Sequence, residues 1–182
     1  METKKLILPL FLAGLMILSV IGFALVYNDN PDRIKLGEYY FAQTDAGWMT
    51  YKDNQQIAIS SDPRTLNMNS VPEVSLNEIN SANRIYFTFN PEEGIQPYLG
   101  YFYTNLRPKF KNMILACTKD TPECSQLPLK SCEDASQSEI VIQIQEAVIP
   151  SISYQDNCLL VQGPKEELPK LIDSLILGLL LE

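Results

Sequence analysis

The sequence contains no histidine, one tryptophan and only eight glycines in 182 residues. Without histidine a Ser-His-Asp relay cannot be built, and imidazole cannot serve as a metal ligand. There is no Cys-x-x-Cys pair, so the motif of thiol–disulfide oxidoreductases is missing as well. Internal repeats and low-complexity tracts are also absent. Positive charge is scarce, with 14 Lys and Arg against 22 Asp and Glu and a net charge of −8. Leaving out Glu2, Lys4 and Lys5 gives 12 against 21, or −9 for the remainder. Such a surface repels phosphate backbones, so no nucleic-acid partner is expected. The excess of carboxylates serves solubility in the first instance, and basic partners in the second.

What is present begins with a long uncharged run, LILPLFLAGLMILSVIGFALVY, at residues 6–27. About 20 apolar residues rising 1.5 Å each cross a bilayer core of about 30 Å, so this run is long enough to span. Lys4 and Lys5 precede it, and Asp29 and Asp32 follow. By the positive-inside tendency the N-terminus stays in the cytoplasm and the rest is exported. Gly22-Phe23-Ala24 offers a signal-peptidase site after Ala24, but the apolar run continues past it, which favours an uncleaved anchor. The expected organisation is an anchor over residues 1–27, a short linker over 28–37 and one domain over 38–182. The lipid bilayer is the one partner this reading requires.

All four cysteines, Cys117, Cys124, Cys132 and Cys158, lie in the exported part. An even count outside the cytoplasm points to two disulfides, with three connectivities allowed. A structural zinc site pairs thiolates two to four residues apart. The gaps here hold six, seven and twenty-five residues, so no metal and no other cofactor is expected. The pairing predicted is Cys117–Cys124, closing a small loop at a strand end, and Cys132–Cys158, tying the polar region to a later hairpin.

Periodicity gives the outline of the domain. YYFAQTDAGWMTYK reads as a β-hairpin about Asp45-Ala46-Gly47, and Gln55–Ser60 as a third strand with Ile57 and Ile59 on one face. Residues 61–82 read as loop. Asn83–Asn90 alternates, with Ile85, Phe87 and Phe89 one way and Tyr86 and Thr88 the other. Pro97 opens a helix carrying Leu99, Phe102, Tyr103 and Leu106, and Pro108 ends it. Asn112–Thr118 is a strand, the polar stretch after it a loop held by its cysteines. Ile140, Ile142 and Ile144 line another strand, and Ile152–Tyr154 with Cys158–Gln162 form a second hairpin. The segment from Glu167 closes the chain as a helix too charged to be a second span. The fold class predicted is α+β: an N-terminal transmembrane helix, then one mostly antiparallel sheet with two helices.

The order of the anchor, GWMTYK, IYFTFNPEE, LACTKDTPEC, PLKSC, DNCLLVQG and a leucine-rich closing helix resembles a family of uncharacterised single-pass, cell-surface proteins of uncultivated archaea. The resemblance covers most of residues 38–181. It implies an exported, disulfide-containing domain and carries no catalytic residue over.

Chemistry has few places to reside. Glu92, Glu93, Glu133 and Asp134 are the carboxylates from which a glycosidase-like pair could be drawn, but they fall in polar loops. Asn28-Asp29-Asn30-Pro31-Asp32 lacks the central glycine and distal glutamate of a calcium loop. Trp48 with Tyr39, Tyr40, Phe41 and Tyr51 reads first as packed core, and second as an aromatic sugar-binding patch. In the closing helix, Leu168, Leu171, Ile172, Leu175, Ile176, Leu179 and Leu180 fill one broad face, with Lys170, Asp173, Ser174 and Gly178 on the other. Leu177 and Leu181 sit among the latter, which reads first as two ordinary exposed leucines or ones a loop covers, and second as a contact surface of Leu177, Gly178 and Leu181 for a second copy, an envelope protein or the membrane surface. The function expected is a membrane-tethered structural or binding module of the cell envelope, or an accessory subunit of a membrane complex. The alternative is an exported hydrolase using carboxylates or a Ser-Lys pair.

Overall fold

The computed structural model describes residues 33–181 and the single position Met16; the expected anchor, its flanking charges and the 28–32 stretch lie outside the described residues. Among the described residues no helix is long and apolar enough to cross a membrane. The chain divides into two units, Met1–Arg33 and Ile34–Glu182, and the second carries the architecture.

The first sheet has the order β1 (Arg33–Leu36), β2 (Tyr39–Thr44), β3 (Gly47–Lys52) and β4 (Gln55–Ile59). Four residues of the expected linker thus form β1, since Ile34 and Leu36 alternate with Arg33 and Lys35 and pack inward on the core. The pairings β2–β3 and β3–β4 are antiparallel, with Ala42 opposite Met49 and Met49 opposite Ala58. Their turns are local chemistry. Asp53 and Asn54 both take positive φ, 51° and 61°, the conformation a two-residue hairpin turn demands. Gly47 has φ 126°, and a Cβ there would lie 2.3 Å from the Ile59 carbonyl oxygen, so only glycine fits.

The remaining strands form a second sheet, where the sequence predicts a single one. Its order is β6 (Met113–Cys117), β5 (Arg84–Phe89), β7 (Glu139–Glu146), β9 (Cys158–Gly163), β8 (Ser151–Gln155). Three pairings, β5–β6, β5–β7 and β7–β9, are parallel, and only β8–β9 is antiparallel. The molecule is therefore α+β with a mostly antiparallel sheet and few helices, as expected, but a mostly parallel sheet stands beside it. Parallel strands require crossovers. The connection from β5 to β6 contains α2 (Gln96–Leu106), and that from β6 to β7 is the disulfide-bearing loop. A one-turn helix, α1 (Leu76–Ile79), interrupts the expected 61–82 loop.

The closing helix, α3 (Leu168–Leu181), and α2 share one hydrophobic cluster with both sheets. Phe87 of β5 stacks on Phe102 of α2, with ring centroids 4.5 Å apart and 8° between planes. Side chains from the two helices also occupy the free edge of β4. Asn105 accepts from the Ala58 N–H at 3.0 Å and donates to its carbonyl at 2.7 Å. Asp173 Oδ2 accepts from the Ser60 N–H at 3.1 Å, the Ser60 hydroxyl at 2.8 Å and the Ser61 N–H at 2.7 Å. An unpaired strand edge invites aggregation, and these amide and carboxylate groups close it.

This arrangement corrects the reading of α3. A helix whose apolar residues spread over most of its circumference packs on several sides, and in α3 only Lys170 is left fully at the surface. Asp173 and Ser174, expected at the surface, are buried, and so is Leu177. The close approach that Gly178 permits is made by the chain's own Val71: a Cβ at 178 would lie 2.6 Å from Val71 Cγ1. Leu177, Gly178 and Leu181 do line an open groove of about 450 Å³, but Met68, Val71 and Pro72 form its other wall.

Candidate functional site

Both disulfides form as predicted. Cys117, ending β6, pairs with Cys124 at a Cα separation of 6.1 Å, and Cys132 pairs with Cys158, opening β9, at 5.3 Å. Both separations lie within ordinary disulfide geometry. The loop they hold covers the face of the second sheet away from the helices, burying Tyr86, Ala116, Val141 and Cys158 against Cys132, Ala135 and Leu160. Lys130 adds to this cover, with its ammonium 4.9 Å from the Tyr86 ring centre and 3.0 Å from Glu139. That neighbouring carboxylate raises the Lys130 pKa above its ordinary value. The Cys132 N–H donates to Gln143 Oε1 at 2.9 Å; Gln143 Nε2 donates to Gln145 at 2.6 Å, and Gln145 Nε2 to Gln162 at 2.9 Å. A ladder of amides thus runs from the disulfide toward the carboxyl ends of β7 and β9.

At those ends the topology opens a crevice. The chain leaves β5 for β6 on one side and leaves β7 for β8, beyond β9, on the other. The loops after β5 and β7 therefore diverge, and in open sheets with parallel strands ligands bind where the strand order reverses in this way. The crevice, about 600 Å³ and open to solvent, is lined by Glu93, Glu146, Ala147, Val148, Pro164 and Glu166. Glu93 buttresses it from within, accepting from Asn90 Nδ2 at 3.3 Å and from the Glu146 N–H at 2.7 Å. Glu146 lies 3.5 Å from Lys165. Val148 and Ile149 form an apolar tip on the rim, 91% and 72% exposed.

The carboxylates singled out in the sequence are divided between two places. Glu92 and Glu93 follow β5, where Glu92 pairs with Lys119 at 3.0 Å. Glu133 and Asp134 belong to the turn carrying Cys132, where Asp134 caps the Ser131 N–H at 2.8 Å. Among the described residues no group of three or more His, Cys, Asp or Glu side chains is placed to hold a metal ion. The aromatic hairpin is divided too: Phe41 and Trp48 are core, while Tyr40 and Tyr51 are 60% and 62% exposed. Val148, Ile149 and Glu166 were not recognised from the sequence. Their signal, an apolar pair between a strand and Pro150, acquires meaning only once β7 is known to be parallel.

No protein family, curated protein or solved structure matches this chain.

Proposed function

We propose that this chain is a membrane-tethered, exported binding module of the cell envelope, whose partner docks in the crevice between the loops after β5 and β7. The observation that carries this reading is the Val148–Ile149 tip, exposed on the rim of a carboxylate-lined crevice at the strand-order reversal. Exposed branched aliphatic side chains cost solubility, and at an interface they supply the buried centre that a polar rim surrounds. Glu93 and Glu166 select a partner bearing lysine or arginine. The uncharged run at residues 6–27, the two disulfides and the resemblance to single-pass archaeal surface proteins support export and tethering.

The test is co-purification of the full chain from native membranes, side by side with Val148→Asp/Ile149→Ser and with Leu129→Ser, an exposed apolar position outside the crevice. A basic protein recovered with the parent chain and Leu129→Ser, and lost from the double variant, supports the module. Retention of every companion by the double variant overturns it. Protease added outside intact cells degrades residues 38–182 if the orientation is right, and full protection overturns the export.

A further inference from the structure

The outward face of the first sheet differs in charge from the rest of the molecule. The exported part carries −9, yet none of its strands β1 to β4 contains an Asp or Glu, while Arg33 and Lys35 stand on the outward side of β1. The acidic residues of this region, Glu38, Asp45 and Asp53, are confined to the turns at the strand ends. Strand alternation sends Phe41, Trp48, Thr50, Ile57 and Ile59 into the core. It sends Lys35, Tyr40, Met49 and Tyr51 outward, where the Lys35 ammonium stands 5.5 Å from the Tyr40 ring centre. Tyr40 and Tyr51 stay largely exposed, although strands hold them on a flat surface rather than on loops.

We infer that this face rests on the headgroup layer of the bilayer in which the chain is anchored. The inference rests on the tethering proposed above and deepens it. Tyrosine and lysine are the side chains that settle at a membrane–water interface, an aromatic body in the headgroups with a polar tip in water. A sheet face free of carboxylates complements anionic lipid, each basic side chain near such a surface strengthening attachment roughly fivefold. The rest of the domain, at high negative charge, is repelled by the same lipid. Chain length permits the contact: only residues 28–32 separate the end of the apolar run from β1, a reach of at most about 20 Å. The sheet would then lie against the membrane, with the crevice of the second sheet left for a partner.

The experiment uses the full chain reconstituted in vesicles of phosphatidylcholine and phosphatidylglycerol, a fraction of them carrying a nitroxide on the headgroup. Trp48, the single native tryptophan, is buried, and its emission is subtracted using the parent chain. Three variants are compared: Tyr40→Trp and Tyr51→Trp on the sheet face, and Gln137→Trp on an exposed turn of the loop covering the far side of the second sheet. The expected result is strong quenching at positions 40 and 51, blue-shifted emission at both, and little change at 137. It should weaken when phosphatidylglycerol is omitted. Equal quenching at all three positions, or none at 40 and 51 in vesicles that hold the chain, overturns the sheet contact and leaves the tethering intact. A chain that fails to float with the vesicles overturns the tethering, and the sheet contact with it.

Discussion

The two sheets were built from the same amino acids by different routes. In the first sheet every pairing joins neighbours in the chain across turns of two residues, and one face meets the core. In the second, β5 pairs with β6 and β7, which lie beyond a helix and a disulfide loop, and both faces are covered. The first sheet is held by local turn chemistry. The second depends on long closures, and the loop tied by Cys132–Cys158 is what seals its far face. Asp173 and Asn105 stand at the seam, one on each helix, and satisfy the edge of the first sheet from helices packed with the second.

The sharpest way to break this contrast is to remove the seam. Asp173→Ala leaves the Ser60 and Ser61 N–H groups without their acceptor, at a cost of about 3 to 5 kcal/mol for two hydrogen bonds to a buried carboxylate. Urea unfolding measures it, and amide exchange should rise first at β4. A loss under about 1 kcal/mol would mean that water replaces the carboxylate and that the sheets are not joined there.

Next in size is the pair Cys132→Ser/Cys158→Ser. Opening a loop of this length costs about 3 to 4 kcal/mol on the chain-entropy account. The difference between the sheets predicts where it is felt: amides of β7 and β9 lose protection, while those of β2 and β3 hold. Uniform loss across both sheets would show that they open as one unit.

Smaller effects test the packing of α3. Gly178→Ala gains about 1 kcal/mol of helix propensity but drives a methyl into Val71, and overpacking of this kind costs about 1 to 3 kcal/mol. A net loss of about 1 kcal/mol is expected, reversed in Val71→Ala/Gly178→Ala. Without that reversal, Val71 is not the neighbour that Gly178 accommodates.

The smallest effect is in pH. Burial raises the Asp173 pKa above its ordinary value near 3.8, against the opposing bonds from Ser60 and Ser61. A carboxyl raised in the folded state makes its full contribution below the unfolded value, and that stability is lost as pH rises through the folded value. Asp173→Asn keeps an acceptor for Ser60 and Ser61 and has no charge to bury. Its stability relative to the parent should therefore improve from pH 4 toward neutrality. A constant difference would show that Asp173 titrates normally.

Much of the fold was legible in the sequence. Alternation placed β2 to β9 nearly to the residue, prolines bounded α2, and cysteine spacing together with the positions of the strands gave both disulfide pairs. β1 was missed because a strand of four residues, RIKL, carries too short a pattern to separate from linker. Tyr86 and Thr88 read as the outer face of a half-buried strand and are buried, because alternation reports that two faces differ, not that one is wet. The crevice was illegible for a related reason: Glu93, Val148 and Glu166 are far apart in the chain, and strand direction alone brings them together.

The sequence by itself determined where the chain turns, which residues alternate, how an apolar run precedes an acidic body with an even set of cysteines, and where the two long helices begin and end. These are properties of local conformational preference and of period, which act within a few residues. Tertiary structure decided that β5, β6, β7 and β9 run parallel, that the leucine-rich closing helix is packed with two sheets instead of awaiting a partner, and that the Val148–Ile149 tip meets the carboxylates of a crevice. Strand direction and burial of a second face arise only when distant segments share a core. Their free energy belongs to contacts between segments, which no single segment contains.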